Sequence, residues 1–298
     1  MADSLGRFAI TAREPGRYTL LAERVGYASL QPDTITLADS LQVQLRAGSR
    51  RVALPALTAQ ARSRCAAFME PNPQTAVVWE EARKALASAA LVEESGAYEF
   101  TWRLDRRDLR LRGTGVMDHR AWVRSSTGSA FVTLPPEMLV DGGYVQPDAD
   151  SLILYGIGAA VVLSDVFRQR HCFGLRDGGE ERVGLEFVPI RTAGRPDVRG
   201  VLWLDRATSE LRTLEFTYTG LTFRGPVERL GGELEFRQLP NGAWIVSRWV
   251  IRGPLLTRNA DWELAEIPMA RFRIRALRET SGQVLSIVGP GHQPVRMR

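Results

Sequence analysis

The sequence predicts a mainly β protein in which a large, curved antiparallel sheet is served by one long helix and a few short ones. Three observations carry that prediction. Segments along most of the chain alternate apolar and polar residues, as Tyr98, Phe100, Trp102 and Leu104 do against Glu99, Thr101, Arg103 and Asp105. One stretch, from Thr75 onward, instead repeats its apolar residues at three- and four-residue steps. Turn chemistry separates the alternating runs, with Asp205-Arg206-Ala207-Thr208 and Pro240-Asn241-Gly242 as the clearest cases.

Taken in order, the chain divides into 1–65, 66–96 and 97–298. In the first part Tyr18, Leu20 and Ala22 share one face of a strand and Leu41, Val43 and Leu45 share one face of another, with Gly16, Gly26 and Gly48 at the reversals. The second part is a linker holding Pro71 and Pro73, then a helix capped by Thr75 and ended by Gly96, with Val77, Val78, Ala82, Ala85, Leu86 and Ala89 on its apolar stripe. The third part opens on the aromatic strand from Tyr98, whose alternation slips between Asp105 and Asp108, predicting a bulge or a hairpin turn there. Arg120–Val123, Ala130–Leu134 and Val140–Val145 continue the β pattern more weakly. A helix is expected to open around Pro147–Ser151, and another at Ser164–Arg168. An antiparallel meander follows, with strands at Val183–Val188, Val198–Leu204, Leu211–Tyr218, Leu234–Phe236, Trp244–Ile251 and Ala270–Leu277.

At 298 residues and 44% hydrophobic content the chain can build two cores. Its longest apolar run, Ile153–Leu163, is broken by Gly156 and Gly158 and falls short of the ~20 residues a bilayer span needs, so no transmembrane helix is expected. The formal charge of +5 does not point to nucleic acid. Lys84 is the sole lysine, and the arginines are interleaved with acids, as in Arg103-Leu104-Asp105-Arg106-Arg107-Asp108, which suits a solvated, paired strand surface rather than a phosphate-binding stripe.

The first 65 residues carry a family likeness. Asp3-Ser4-Leu5-Gly6-Arg7-Phe8, then Gly16-Arg17-Tyr18-Thr19-Leu20, Gly26-Tyr27 and the alternating Leu41-Gln42-Val43-Gln44-Leu45 resemble the later half of the carboxypeptidase regulatory-like domain, a small transthyretin-like β-sandwich. Met1 and Ala2 stand where that family's opening strands would be. The resemblance therefore implies a partial sandwich that begins inside the module or completes its edge with another chain. A second likeness lies in Gly200-Val201-Leu202-Trp203-Leu204-Asp205, with Thr208 and Leu211–Tyr218, which resemble a hairpin of periplasmic lipoprotein-carrier folds. Together these imply a protein of a Gram-negative envelope, periplasmic or associated with the outer membrane, although no signal-peptide pattern opens the sequence.

What the resemblance implies about activity is a noncatalytic module that binds an envelope protein or an apolar ligand. The carrier-like hairpin makes Leu214, Phe216, Tyr218, Leu234, Phe236, Trp244 and Trp249 the candidate ligand face. Enzyme signatures are missing: His119 is followed by Arg120-Ala121-Trp122 and His171 by Cys172-Phe173-Gly174, neither with the spacing of a zinc pair, and Ser125, Ser126 and Ser129 form no nucleophile elbow. No enzyme activity, metal or cofactor is expected. The alternative is a hydrolase of unrecognised type using His119 with Asp148 and Asp150 of the 147–151 loop.

Cys65 and Cys172 are the only cysteines, one in each predicted domain. In an oxidising envelope they are expected either to join across the domains or to remain as two separate buried thiols. A bond would close a loop of roughly 100 residues, stabilising the fold on the order of 4–5 kcal/mol if unstrained. The expected result is an intact mass that takes up no alkylating reagent after denaturation until reductant is added. Two alkyl groups without reductant would sink the bond.

Overall fold

The computed structural model describes residues 7–30, 33–46, 51–54, 73–112, 115–128, 130–148, 151–190, 196–221, 225–258 and 272–297. In the first part, β1 (Gly16–Leu20) and β2 (Asp33–Leu37) form a two-stranded antiparallel sheet with Tyr18 opposite Ile35. Residues 41–46, expected as a strand, have no regular secondary structure and leave Leu41 half exposed. A strand needs a partner to take up its backbone groups, and no ladder among the described residues reaches this segment.

Helix α1 runs from Pro73 to Ser95. Proline suits the first helical turn, where its missing N–H has no intrahelical acceptor, so the helix starts ahead of Thr75 and that residue lies inside it rather than capping it. Gly96, at φ +59°, ends it in the left-handed conformation that favours glycine. The predicted stripe is buried through Val78, Ala82, Ala85, Leu86 and Ala89, while Val77 points away and is exposed.

Nearly all that follows belongs to one ten-stranded antiparallel sheet. Its strands are β3 (Glu99–Arg110) and β4 (Val116–Ser126), then, after an insert, β7 (His171–Asp177), β8 (Arg182–Pro189), β9 (Asp197–Asp205), β10 (Leu211–Thr219), β11 (Gly231–Gln238), β12 (Trp244–Arg258), β13 (Phe272–Gly289) and β14 (Gln293–Val295). Across the sheet the order is β4-β3-β13-β12-β11-β10-β9-β8-β7, with β14 added beside β13. The meander from β7 to β13 follows chain order, and β3 with β4 attach to its far side. Strand β3 passes straight through Asp105–Asp108, and its register against β4 shifts only between Asp108 and Leu109. The polar run is therefore no turn: these side chains pair with charged residues of the neighbouring strands β4 and β13, as described below.

The insert contains α2 (Pro136–Gly142), a hairpin of β5 (Val145–Asp148) and β6 (Ser151–Leu154), α3 (Ala159–Leu163) and α4 (Asp165–Arg170). Three expectations change here. Residues Ala130–Leu134 are no strand, Val140–Val145 is divided between helix and β5, and where a helix is expected to open, Pro147 and Asp148 lie in β5 and Ser151 in β6, Asp148 pairing with Ser151. Ser164 does open a helix, its hydroxyl accepting the Phe167 amide at 3.2 Å.

The N-terminal segment is tied to this body through α1. Lys84 and Glu81, one helical turn apart and almost wholly buried, pair at 2.7 Å. Glu81 also accepts the backbone amide of Gly26 at 2.7 Å, and Lys84 donates to the carbonyl of Tyr27 at 2.7 Å. Gly26 sits at φ +79°, and a Cβ there would come within 2.8 Å of the Thr208 carbonyl in the β9–β10 turn. The Val52 amide donates to Gly26 and its carbonyl accepts from Ser209, so the same segment reaches that turn twice.

Removing one partner of a buried, hydrogen-bonded ion pair leaves an uncompensated charge. Lys84→Met is expected to cost about 3–5 kcal/mol in urea unfolding, and the Glu81→Leu/Lys84→Met double variant less than the sum of its parts. A single variant as stable as the parent would show that the pair carries no such weight.

Candidate functional site

The predicted ligand face can be followed along the registers of the sheet. Leu214 stands between Leu202 and Leu234, and Trp249 lies beyond Leu234 on β12. In the next row Phe187 faces Gly200, Gly200 faces Phe216, and Phe216 faces Gly232. A Cβ on Gly200 would meet the Phe187 ring at 2.5 Å, and one on Gly232 would meet the Phe216 ring at 2.7 Å. On the inside of a curving sheet, side chains of adjacent strands converge, so a row of large rings fits only when alternate positions are empty. The same arrangement recurs where the Trp249 indole lies over Gly282, with the Phe131 ring tilted against it at 5.7 Å.

All seven predicted face residues, Leu214, Phe216, Tyr218, Leu234, Phe236, Trp244 and Trp249, are buried, none more than 4% exposed. They belong to one hydrophobic core with the stripe of α1. The helix crosses several strands: Trp79 packs on Phe173 of β7 at 5.1 Å, and Ser88 accepts the Trp244 amide of β12 at 3.0 Å. The rest of the core is completed by the insert through Phe131, Leu139, Tyr144, Tyr155, Ile157, Val161 and Val162. Tyr218 donates its hydroxyl to the Tyr155 carbonyl at 2.9 Å, and burial pushes its phenol well above the usual range. Sequence reasoning missed these insert residues as core, although the apolar Ile153–Leu163 run was the signal for Tyr155, Ile157, Val161 and Val162. Gly156 marks the closest approach, since a Cβ there would strike Phe131 and Ile251 within 2.8 Å.

Of the residues offered for catalysis, His119 and Asp148 stand in different sheets. His119, on exposed β4, is hydrogen-bonded to Asp105 of β3 at 2.8 Å, and that contact is the main reason the Asp105 carboxyl is held below its ordinary value. Asp148 ends β5 in a separate two-stranded sheet, and Asp150 lies outside the described residues. His171 is a core ring stacked on Phe167 at 3.9 Å, its two nitrogens within 3.0 Å of the Phe167 and Val198 carbonyls. Cys172 follows it on a strand, so the two side chains take opposite faces. Cys172 is buried, and Cys65 lies outside the described residues. Among the described residues no three potential metal ligands cluster.

Charge is organised on other parts of the sheet. Glu279, buried on β13, is flanked in register by Arg252 and Arg107 and pairs with both, to Arg252 at 2.7 Å. Asp108 receives the Arg278 guanidinium in a two-pronged contact at 2.8 and 2.9 Å, which holds its carboxyl below the usual value. Glu93, in the last turns of α1, is the exception. Its carboxyl has no hydrogen bond or ion pair among the described residues, and desolvation raises it to about 7.

No family model matches the chain, and no curated protein matches it. Among solved structures there is a likeness to the crystal structure of a DUF1329 family protein from Desulfovibrio piger, at 12% identity over 70% of this chain and 91% of that one, with a TM-score of 0.29. At that level it assigns the chain neither a family nor an activity. The resemblance of residues 1–65 to a regulatory-like domain rests on the residues that suggested it.

The raised Glu93 carboxyl has a consequence for pH. Between its ordinary value of 4.5 and about 7, the folded state retains a proton that the unfolded chain has lost, so stability falls as pH rises through that window. Glu93→Gln is expected to raise stability on the order of 1–2 kcal/mol near pH 8 while changing little near pH 4. Equal effects at both pH values in thermal melts would place the origin elsewhere.

Proposed function

We propose that the chain is a noncatalytic binding or scaffold protein of the bacterial cell envelope, in which the curved sheet is closed by its own helix and offers partners its outer surfaces. The observation that carries this is the burial of the whole predicted ligand face beneath α1 and the insert. A carrier of fatty chains needs a concavity open to a ligand, since each buried CH₂ contributes about 0.8 kcal/mol only if there is room for it. Here that apolar area is already spent on the core. The resemblance of residues 1–65 to an accessory module, and the likeness of β9 and β10 to a periplasmic fold, support the envelope as its location. None of the described helices is long and apolar enough to cross a membrane.

Native mass spectrometry of protein taken directly from cells, followed by lipid extraction, tests this. The expected outcome is a mass equal to that of the polypeptide, with no lipid in stoichiometric amount. One equivalent of a co-purifying acyl lipid would turn the reading into that of a carrier whose helix moves aside.

A further inference from the structure

Strand β4 is an edge of the ten-stranded sheet, and residues 116–125 are all exposed. An edge of this length presents a row of backbone donors and acceptors to any strand that can lie beside it. It has no proline, and it shows large apolar groups, with Trp122 42% and Val123 63% exposed. We infer that β4 pairs with the β4 of a second copy, antiparallel about a two-fold axis at Ala121, joining two sheets edge to edge.

The register follows from the sequence of the strand. Ala121 is the midpoint of Val116–Ser126, so a two-fold there pairs the strand over its full length. A two-fold perpendicular to the sheet keeps like faces together, which allows only slips of two residues. On the face shared with Leu104, centring on Ala121 puts Asp118 opposite Arg124 of the second copy and Arg120 opposite Trp122, each twice. These are an ion pair and a cation–aromatic pair at the distance of facing residues. On the other face His119 meets Val123 and Met117 meets Ser125. Centring on Arg120 would set that arginine against its own copy, and centring on Trp122 would set Arg120 against Arg124. Only one of these registers avoids opposed guanidinium groups. Asp118 has spare capacity for the contact, because its existing approaches to Arg106 and Arg120 are 3.7 and 3.8 Å. The Arg124 side chain makes no hydrogen bond or ion pair among the described residues.

The inference concerns β4 alone and does not rest on the scaffold reading. Sedimentation equilibrium on the full chain over a wide dilution series tests it, with thermal melts confirming that each variant is folded. The parent is expected to dimerise. Asp118→Arg and Arg124→Asp should each weaken association roughly tenfold or more, because two facing pairs per dimer become like-charged. The double variant, which restores opposite charges in reversed order, should dimerise again. A parent that stays monomeric throughout, or a dimer indifferent to both single reversals, overturns the proposal.

Discussion

A large antiparallel sheet that curls has an apolar inside, and the rest of this molecule is arranged to fill it. Residues on the inner face crowd as curvature increases, which is why the aromatic rows are interrupted by Gly200, Gly232 and Gly282 at positions directly opposite a ring. Without those vacancies Phe216 or Trp249 would have to leave its rotamer or flatten the sheet. With them, the face becomes smooth enough to receive a helix whose contact residues are mainly alanine and valine. The small side chains of α1, Ala82, Ala85 and Ala89, and the large rings of the sheet are two halves of one packing solution.

That solution also explains how the N-terminal segment is held. A helix buried on one side by a sheet still has another side, and here it carries Glu81 and Lys84 under residues 25–27. Each charge has a backbone partner as well as the other charge, so the desolvation of the pair is offset by backbone hydrogen bonds in addition to Coulomb attraction. The same peptide group of Gly26 approaches the β9–β10 turn, whose shape is set by Asp205 accepting the amides of Ala207 and Thr208 at 3.0 and 2.9 Å. Helix, sheet turn and N-terminal loop therefore meet at one polar joint on an otherwise apolar framework.

Much of this framework is legible in the sequence, and the failures have physical causes. Strands β8 to β13 and helix α1 announce themselves because one face of each is buried, which imprints a period of two or 3.6 on the residues. Strand β4 shows only its middle, since both of its faces are exposed and nothing forces an alternation. The polar run of β3 looks like a break because residues such as Asp108 and Arg106 stand where an apolar side chain would continue the pattern; their partners lie on other strands, Asp118 on β4 for Arg106 and Arg278, 170 residues away in the chain, for Asp108. The role of Lys84 is hidden for the same reason. A lone lysine on a helix reads as solvated, and its acceptor at Tyr27 precedes it by 57 residues. The candidate ligand face was identified as a coherent surface, but what covers it depends on the insert, whose apolar run gives composition without saying against what it packs.

Different parts of the sheet are thus stabilised by different physics. On the inside, specificity comes from size, ring against glycine and alanine against ring, and a shift of one residue would turn every ring outward. Elsewhere it comes from charge in register, as Arg252, Glu279 and Arg107 align across three neighbouring strands. Both devices operate between strands and so need a neighbour on each side. At β4 the chain turns away after Ser126 to send Phe131 into the core, and the sheet ends on a strand whose outer neighbour the chain itself does not supply among the described residues. The charges and rings on that strand are of the same kinds that lock the interior registers, which makes the edge a continuation of the sheet's own pairing chemistry rather than a plain solvated border.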